Sequence, residues 1–296
     1  FLGEQLYDVI EQIEKGPATS TKSVDALKLG VTALPTLPRD ATDRNRTSPF
    51  AYTGNKFEFR AVGSEQNCAG PNVILNTIVA EALDDICTQL DADVAGGKAF
   101  TEALQAILSA TVTQHKRILF NGDNYTDEWV AEAERRGLPN LKKTPDALKA
   151  MLSDKAIDLF GKYKVLSEAE LKSRYEVYSE CYEEQVAIEA RCAITMARTM
   201  IAPAALEYQA ELSGSIQSVE ATGIGEAEEP RAVLRDIFTE TNKLLAGVRA
   251  LEACEKAGDP LETLAAMEAL REAADALEGL VPDSIWPLPT YTEMMF

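Results

Sequence analysis

From Gly70-Pro71 almost to the end of the chain, apolar residues recur at the three-to-four-residue interval of a helix face. Period-2 alternation is confined to Phe50 to Val62. A chain so patterned has little with which to build a sheet and must bury its apolar surface chiefly helix against helix. The expected class is therefore α+β, predominantly α-helical, with few strands. Helices are predicted from Phe1 to Lys15, where Gly16-Pro17 marks the stop, from Val73 to Leu90 and from Lys98 to Leu119. Asn121-Gly122-Asp123-Asn124 makes a turn before Thr126 caps a short helix. Thr144-Pro145-Asp146 opens another with proline at its first position. Ser167-Glu168-Ala169-Glu170 reads as a capping box, and the helix it opens extends to about Leu212 with a kink at Pro203.

Residues 213 to 230 are rich in Gly, Ser and Glu and read as a flexible linker. Beyond it, Ile237, Leu244, Val248 and Leu251 form one helical stripe, and Leu261, Leu264, Leu270, Leu277 and Leu280 form another. The Gly258-Asp259-Pro260 turn between them predicts an antiparallel hairpin. The tail Trp286-Pro287-Leu288-Pro289-Thr290-Tyr291 is aromatic and held extended by its prolines, so it docks on this chain or on a neighbour. Near the other end, residues 17 to 49 are broken by five of the chain's prolines and glycines and form a long loop, with at most a short helix at 23 to 29. No internal repeat is present.

At 296 residues, with 46% hydrophobic and 26% charged residues, the chain has enough material for about two folded domains. It carries no apolar run long enough to span a membrane. Its formal charge of -19 repels phosphate backbones and anionic lipid, which argues against nucleic-acid and membrane-surface roles. The five cysteines (Cys68, Cys87, Cys181, Cys192, Cys254) are odd in number and form no CxxC pair, as expected of reduced, buried thiols in a cytoplasmic protein. His115 is the only histidine, so a zinc site of several imidazoles is excluded; His115 itself reads as an ordinary helix residue with no catalytic role. The chain opens Phe1-Leu2-Gly3 without an initiator Met or a signal peptide, as a piece of a longer protein or a trimmed chain would.

Chemistry-bearing residues concentrate around the strands. Alternation along Lys56-Phe57-Glu58-Phe59-Arg60 puts Phe57 and Phe59 on one face, expected to be core, and Lys56, Glu58 and Arg60 on the other. A carboxylate flanked by cations suits a hard metal beside anionic substrate groups; the same pattern also describes a solvated strand face with ion pairs. Upstream, Asp40, Asp43, Arg44 and Arg46 crowd a loop that either presents arginines to phosphate or carboxylate or locks itself by local Asp–Arg pairs. Gly223-Ile224-Gly225 follows no strand and reads as linker glycine. Tyr175, Tyr178 and Tyr182 at helical spacing read as packing.

The segments Asp43-Arg44-Asn45-Arg46-Thr47-Ser48-Pro49-Phe50 and Asn55-Lys56-Phe57-Glu58-Phe59-Arg60 resemble glutamine synthetase, specifically its type III branch. So do Ala69-Gly70-Pro71-Asn72, Asn121 to Trp129, Arg136 to Asn140 and Trp286 to Tyr291. The resemblance spans the chain, but only as the C-terminal part of a much longer enzyme. It implies residues 1–190 as the C-terminal part of the catalytic domain and residues 191–296 as a helical C-terminal domain with a hairpin and aromatic tail. It further implies ATP-dependent ligation of ammonia to glutamate through γ-glutamyl phosphate, with Mg2+ or Mn2+ as cofactor, in a cytoplasmic homo-oligomer expected to be a double-ring dodecamer. By the same resemblance Glu58 is a metal-binding carboxylate, Arg60 holds glutamate or its activated carboxyl group, Arg46 contacts phosphate, and Lys56 contacts ATP. Ala51 stands where types I and II carry a further ATP-contacting arginine, and Lys56 replaces an arginine, a point charge in place of a fork. The β-grasp domain and most metal-binding glutamates of the family fall outside the chain, so the fragment alone is expected to be inactive. Two other classes are open: a non-catalytic helical scaffold mediating protein–protein contacts, and a regulatory paralogue that binds nucleotide without catalysis.

Overall fold

A computed structural model describes residues 2–16, 26–27, 37–38, 49–52, 56–60, 63, 66–289 and 291–295. They fall into two compact units, Phe1–Lys143 with Ser153–Glu168, and Thr144–Leu152 with Ala169–Phe296. The class is α+β and predominantly helical, as the periodicity requires.

The first unit contains α1 (Glu4–Lys15), two-stranded ladders β1 (Ala26–Leu27) with β2 (Leu37–Pro38) and β3 (Phe50–Tyr52) with β4 (Phe57–Phe59), then α2 (Ala69–Ala95), α3 (Phe100–His115) and α4 (Asp127–Arg135). Helix α5 (Thr144–Leu148) belongs to the second unit, and α6 (Asp154–Lys162) returns to the first. Both ends of α1 are finished by side chains from distant sequence. Asn121 Oδ1 accepts from the Leu2 and Gly3 amides at 3.3 and 3.2 Å, and Ser109 Oγ donates to the Glu14 carbonyl at 2.8 Å. Helix ends leave just such orphan groups, so these bonds seat α1 along α3. Farther on, Phe120 stacks on Trp129 with centroids 4.1 Å apart, and Arg136 lies over the indole while donating to the carbonyl of Leu119 at 2.8 Å. The Thr126 cap forms as expected, its hydroxyl accepting from the Trp129 amide.

The second unit is built on one long helical run: α7 (Glu168–Met196), a π turn at Ala197–Ile201, and α8 (Ala202–Ala221). Pro203 has no amide hydrogen, and its ring crowds the carbonyl four residues back. The wider π turn immediately before it absorbs that conflict without ending the helix. Then come α9 (Glu228–Ala257), α10 (Pro260–Glu278) and the short α11 (Tyr291–Met295). The hairpin turn follows its sequence: Gly258 takes a left-handed φ of 79°, and the Asp259 carboxylate caps α10 by accepting from the amides of Leu261 and Glu262. Ile237, Leu244, Val248 and Leu251 are fully buried against Leu270 and Leu277, with Ala190, Ala197, Ile201, Ala202 and Ala205 of the long run completing the core. Trp286 and Leu288 join that core, so the tail docks on its own chain.

Several expectations are corrected. The segment read as a linker from 213 to 230 is helical as far as Ala221, leaving only residues 222–227 between helices. There the burial of Ile216 outweighs the weak helix propensity of Gly214 and its neighbouring serines. Cys68, Cys87, Cys181 and Cys192 are exposed and Cys254 is half-buried; the thiols are free, as expected, but not core residues. Residues Ala26–Leu27 pair in extended form with Leu37–Pro38, where a helix at 23 to 29 was the alternative. Of the three tyrosines, Tyr175 and Tyr182 are half-buried and Tyr178 is exposed.

Candidate functional site

The β3–β4 ladder is antiparallel, with Phe50 opposite Phe59, Ala51 opposite Glu58 and Tyr52 opposite Phe57. Beyond it, the Arg60 amide donates to the Pro49 carbonyl at 2.8 Å. This register sorts the side chains as alternation demands. Phe50, Tyr52 and Phe57 form an aromatic cluster, Phe57 lying 4.9 Å from Phe50 and 4.8 Å from Tyr52 between ring centroids. Ala51 and Glu58 fall on the other face. The aromatic face, expected to be core, is solvent-exposed: Phe57 retains 62% and Phe59 50% of its accessible surface. Two strands of three residues cannot bury a face by themselves, and among the described residues no other element covers these rings.

On the charged face Glu58 sits between two cations. Arg60 Nη2 donates to its Oε2 at 2.6 Å, and Lys56 Nζ lies 3.6 Å from its Oε1. The hydrogen bond from Arg60, more than the charge of either cation, holds the Glu58 carboxyl below the usual carboxylate range. Glu58 is therefore ionised at neutral pH, and a cation or a charge-assisted hydrogen bond is what it can accept. Ala51, directly across the ladder, is buried and presents only a methyl group to it.

One carboxylate does not make a metal centre. Among the described residues no group of three or more His, Cys, Asp or Glu side chains is placed to hold an ion, and both oxygens of Glu58 already face protein cations. The described residues do not make up a complete Mg2+ or Mn2+ site. The structure brings together Lys56, Glu58 and Arg60; Arg46, with Asp40, Asp43 and Arg44, lies outside the described residues. His115 is exposed at the end of α3, and Gly223-Ile224-Gly225 lies in the loop after α8, neither near any cluster of chemistry.

A second charged cluster was not anticipated. Lys162 Nζ bridges Glu81 and Asp84 of α2 at 2.7 and 2.8 Å, and the Tyr163 hydroxyl donates to both carboxylates at 2.7 and 3.1 Å. Burial, then its hydrogen bond to Glu81, pushes the Tyr163 phenol up to about 12. The two halves lie some eighty residues apart, so no local spacing announces them. All four groups are mutually satisfied, which makes the cluster a clamp of α6 on α2 rather than a site awaiting a ligand.

Comparison with known proteins bears on the charged face. The glutamine synthetase C-terminal domain pattern matches residues 103–220. A type-3 glutamine synthetase of Dictyostelium discoideum is 36% identical over 313 residues, covering 100% of this chain and 42% of its own length. Glutamine synthetases of Bacteroides fragilis and Butyrivibrio fibrisolvens are 34% and 33% identical, again over the whole chain and over 43% and 44% of their own lengths. The chain belongs to the glutamine synthetase family. Within it, the chain corresponds to the C-terminal part of a type III enzyme and spans less than half the length of the curated relatives it matches.

Proposed function

We propose that the polypeptide to which this chain belongs is a glutamate–ammonia ligase. It phosphorylates the γ-carboxylate of glutamate with ATP and lets ammonia displace phosphate. Identity with the three synthetases along the whole chain supports this reading, and the observation that carries it to particular residues is the Lys56–Glu58–Arg60 face. On this reading Arg60 binds the glutamate or its activated carboxyl group through a planar guanidinium already oriented by Glu58. Lys56 and Arg46 contact ATP and the transferred phosphate. Glu58 is one of several ligands to Mg2+ or Mn2+, the rest coming from outside residues 1–296. Fixed positive charge around a transferring phosphoryl group is where such sites gain most of their rate. The 296-residue chain by itself, with one carboxylate of that set, is inactive. A boundary near residue 190 between catalytic and helical C-terminal domains, a cytoplasmic location and a ring-shaped homo-oligomer are part of the same proposal. Among the described residues no helix is long and apolar enough to cross a membrane.

The test is glutamine formation by the full-length polypeptide carrying Glu58→Ala or Arg60→Ala. Each is expected to lower kcat by roughly 10²-fold or more, the scale for removing an active-site charge. Wild-type turnover in Glu58→Ala would overturn the assignment, and glutamine made by the isolated chain would overturn its inactivity. The closed core of the second unit favours a second reading, a non-catalytic scaffold. That reading requires a native polypeptide that ends near 32.2 kDa.

A further inference from the structure

In the second unit α8 and α9 hold open a groove of about 520 Å³ lined by Gln209, Ser213, Arg231, Leu234, Arg235 and Phe238. Arg231, Leu234, Arg235 and Phe238 stand at i, i+3, i+4 and i+7 of α9, so they share one helix face, the face that borders α8 along the groove. Both ends of the groove are pinned: Arg231 Nη2 donates to Glu220 Oε2 at 2.7 Å, and Gln209 Nε2 donates to Thr241 Oγ1 at 2.8 Å. Those bonds between the helices fix the width before anything enters. Glu220 neutralises Arg231, whereas the Arg235 guanidinium and the Ser213 hydroxyl make no ion pair or hydrogen bond among the described residues. Phe238 leaves 58% of its surface open beside them. On a chain of charge -19, this groove is lined by arginine and by no carboxylate, so at close range its field is positive.

We propose that this groove binds a small aromatic carboxylate, with the head group on Arg235 and Ser213 and the ring on Phe238 and Leu234. Arginine's planar fork meets a carboxylate with two parallel hydrogen bonds, and the serine hydroxyl adds a further donor. A flat ring is the body that Phe238 can stack on and Leu234 can cover. Length and charge narrow the class. Arg231 and Phe238 are two helical turns apart, about 10 Å, which matches one ring with its head group and is short of a peptide longer than about three residues. The groove offers one uncompensated positive charge, and each additional negative charge on a ligand meets the repulsion of the whole chain's -19. A monoanion therefore suits it better than a phosphate ester or an acidic peptide. The groove belongs to a different unit from the Lys56–Glu58–Arg60 face, and the inference makes no use of the ligase reading.

The experiment titrates para-fluorobenzoate with the full-length polypeptide and follows the broadening of its fluorine resonance. Binding with a Kd of about 1 mM or tighter is expected, the scale for a ligand of that size. Arg235→Gln is expected to weaken it roughly tenfold and Phe238→Ala roughly fivefold. Arg249→Gln, which replaces an exposed arginine farther along α9, is expected to change nothing. Arg235 and Phe238 are themselves exposed, so neither substitution threatens the fold. The uncharged para-fluorobenzyl alcohol is expected to bind roughly tenfold more weakly than the carboxylate. No broadening at about 10 mM ligand overturns the proposal. Equal broadening with wild type and Arg235→Gln overturns it as well, and so does equal binding of the alcohol. Broadening that Arg60→Ala abolishes and Arg235→Gln spares places the carboxylate on the charged strand; that result overturns the groove as its site and leaves the ligase reading standing.

Discussion

The two compact units face the same task, burying apolar helical stripes, and complete it to different degrees. In the second unit α9 and α10 bring Ile237, Leu244, Val248, Leu251, Leu270 and Leu277 together, the long α7–α8 run supplies small residues beneath them, and Trp286 closes the end. Among the described residues of the first unit the buried side chains are small or isolated, Ala51, Thr77, Ala103, Ile107 and Phe160, while large side chains of α2 and β4 face solvent. The lesson is one of closure: the second unit buries its large apolar side chains with its own residues, whereas the first, which carries the charged strand, leaves more of them exposed. Each unit has its own tryptophan, Trp129 in the first and Trp286 in the second, so the two can be followed separately by fluorescence.

The largest effect that would sharpen this contrast is chemical. Glu58→Ala in the full-length polypeptide should cost roughly two or more orders of magnitude in kcat while leaving its urea unfolding unchanged. Leu251→Ala should do the reverse. Leu251 has no exposed surface and sits in the middle of the hairpin core. Its truncation removes transfer energy and leaves a cavity, about 2–5 kcal/mol in all. Urea unfolding followed at Trp286 in a Trp129→Phe background should show that loss, whereas Trp129 in a Trp286→Phe background should barely move. A parallel shift at Trp129 would mean that the units unfold as one and would break the comparison.

What the sequence makes legible follows the same division. Ile237, Leu244, Val248 and Leu251 can be picked out as a buried stripe because helical periodicity is local and their partners lie one tight turn away. The Gly258-Asp259-Pro260 turn is legible for the same reason, each residue having a conformational or capping role that no neighbour can take over. Alternation likewise places Lys56, Glu58 and Arg60 on one strand face. What it cannot show is which face another element covers, and the exposed Phe57 and Phe59 are the result. The thiols and the 213–221 helix were misread because composition is a weaker guide than burial. The Lys162 clamp on Glu81 and Asp84 joins distant sequence and leaves no periodic trace.

A smaller effect tests whether the hairpin turn is as determined as it looks. Gly258 adopts φ of 79°, and a Cβ there meets no other atom within 4 Å, so Gly258→Ala isolates backbone strain from any clash. The expected loss is about 1 kcal/mol, read at Trp286 by urea unfolding. No change at all would mean that the turn relaxes out of the left-handed region and that the hairpin owes its register to the core alone.

The smallest effect belongs to the first unit and is a matter of pH. Glu132 on α4 is bonded at 2.6 Å by Arg135 Nε and at 2.5 Å by Arg136 Nε, and these hydrogen bonds lower its pKa from 4.5 to about 2. The folded value lies below the unfolded one, so the pair's contribution is fully present above about pH 4.5 and is lost as pH falls from there towards 2. Glu132 is half-buried but its partner Arg135 stands in solvent, so the interaction is screened and its contribution is small and sensitive to salt. Its position makes it measurable all the same, because Arg136 also lies over the Trp129 ring at 5.6 Å and reports any loosening of α4 there. An acid titration at Trp129 in the Trp286→Phe background should show a transition between pH 4.5 and 2 that Glu132→Gln removes. Because Arg136 also donates to the Leu119 carbonyl, Glu132→Gln should leave the neutral-pH signal nearly unchanged. A titration unaltered by that substitution would locate the acid sensitivity in another carboxylate, with the Glu81–Asp84–Lys162 clamp of the same unit the next to test.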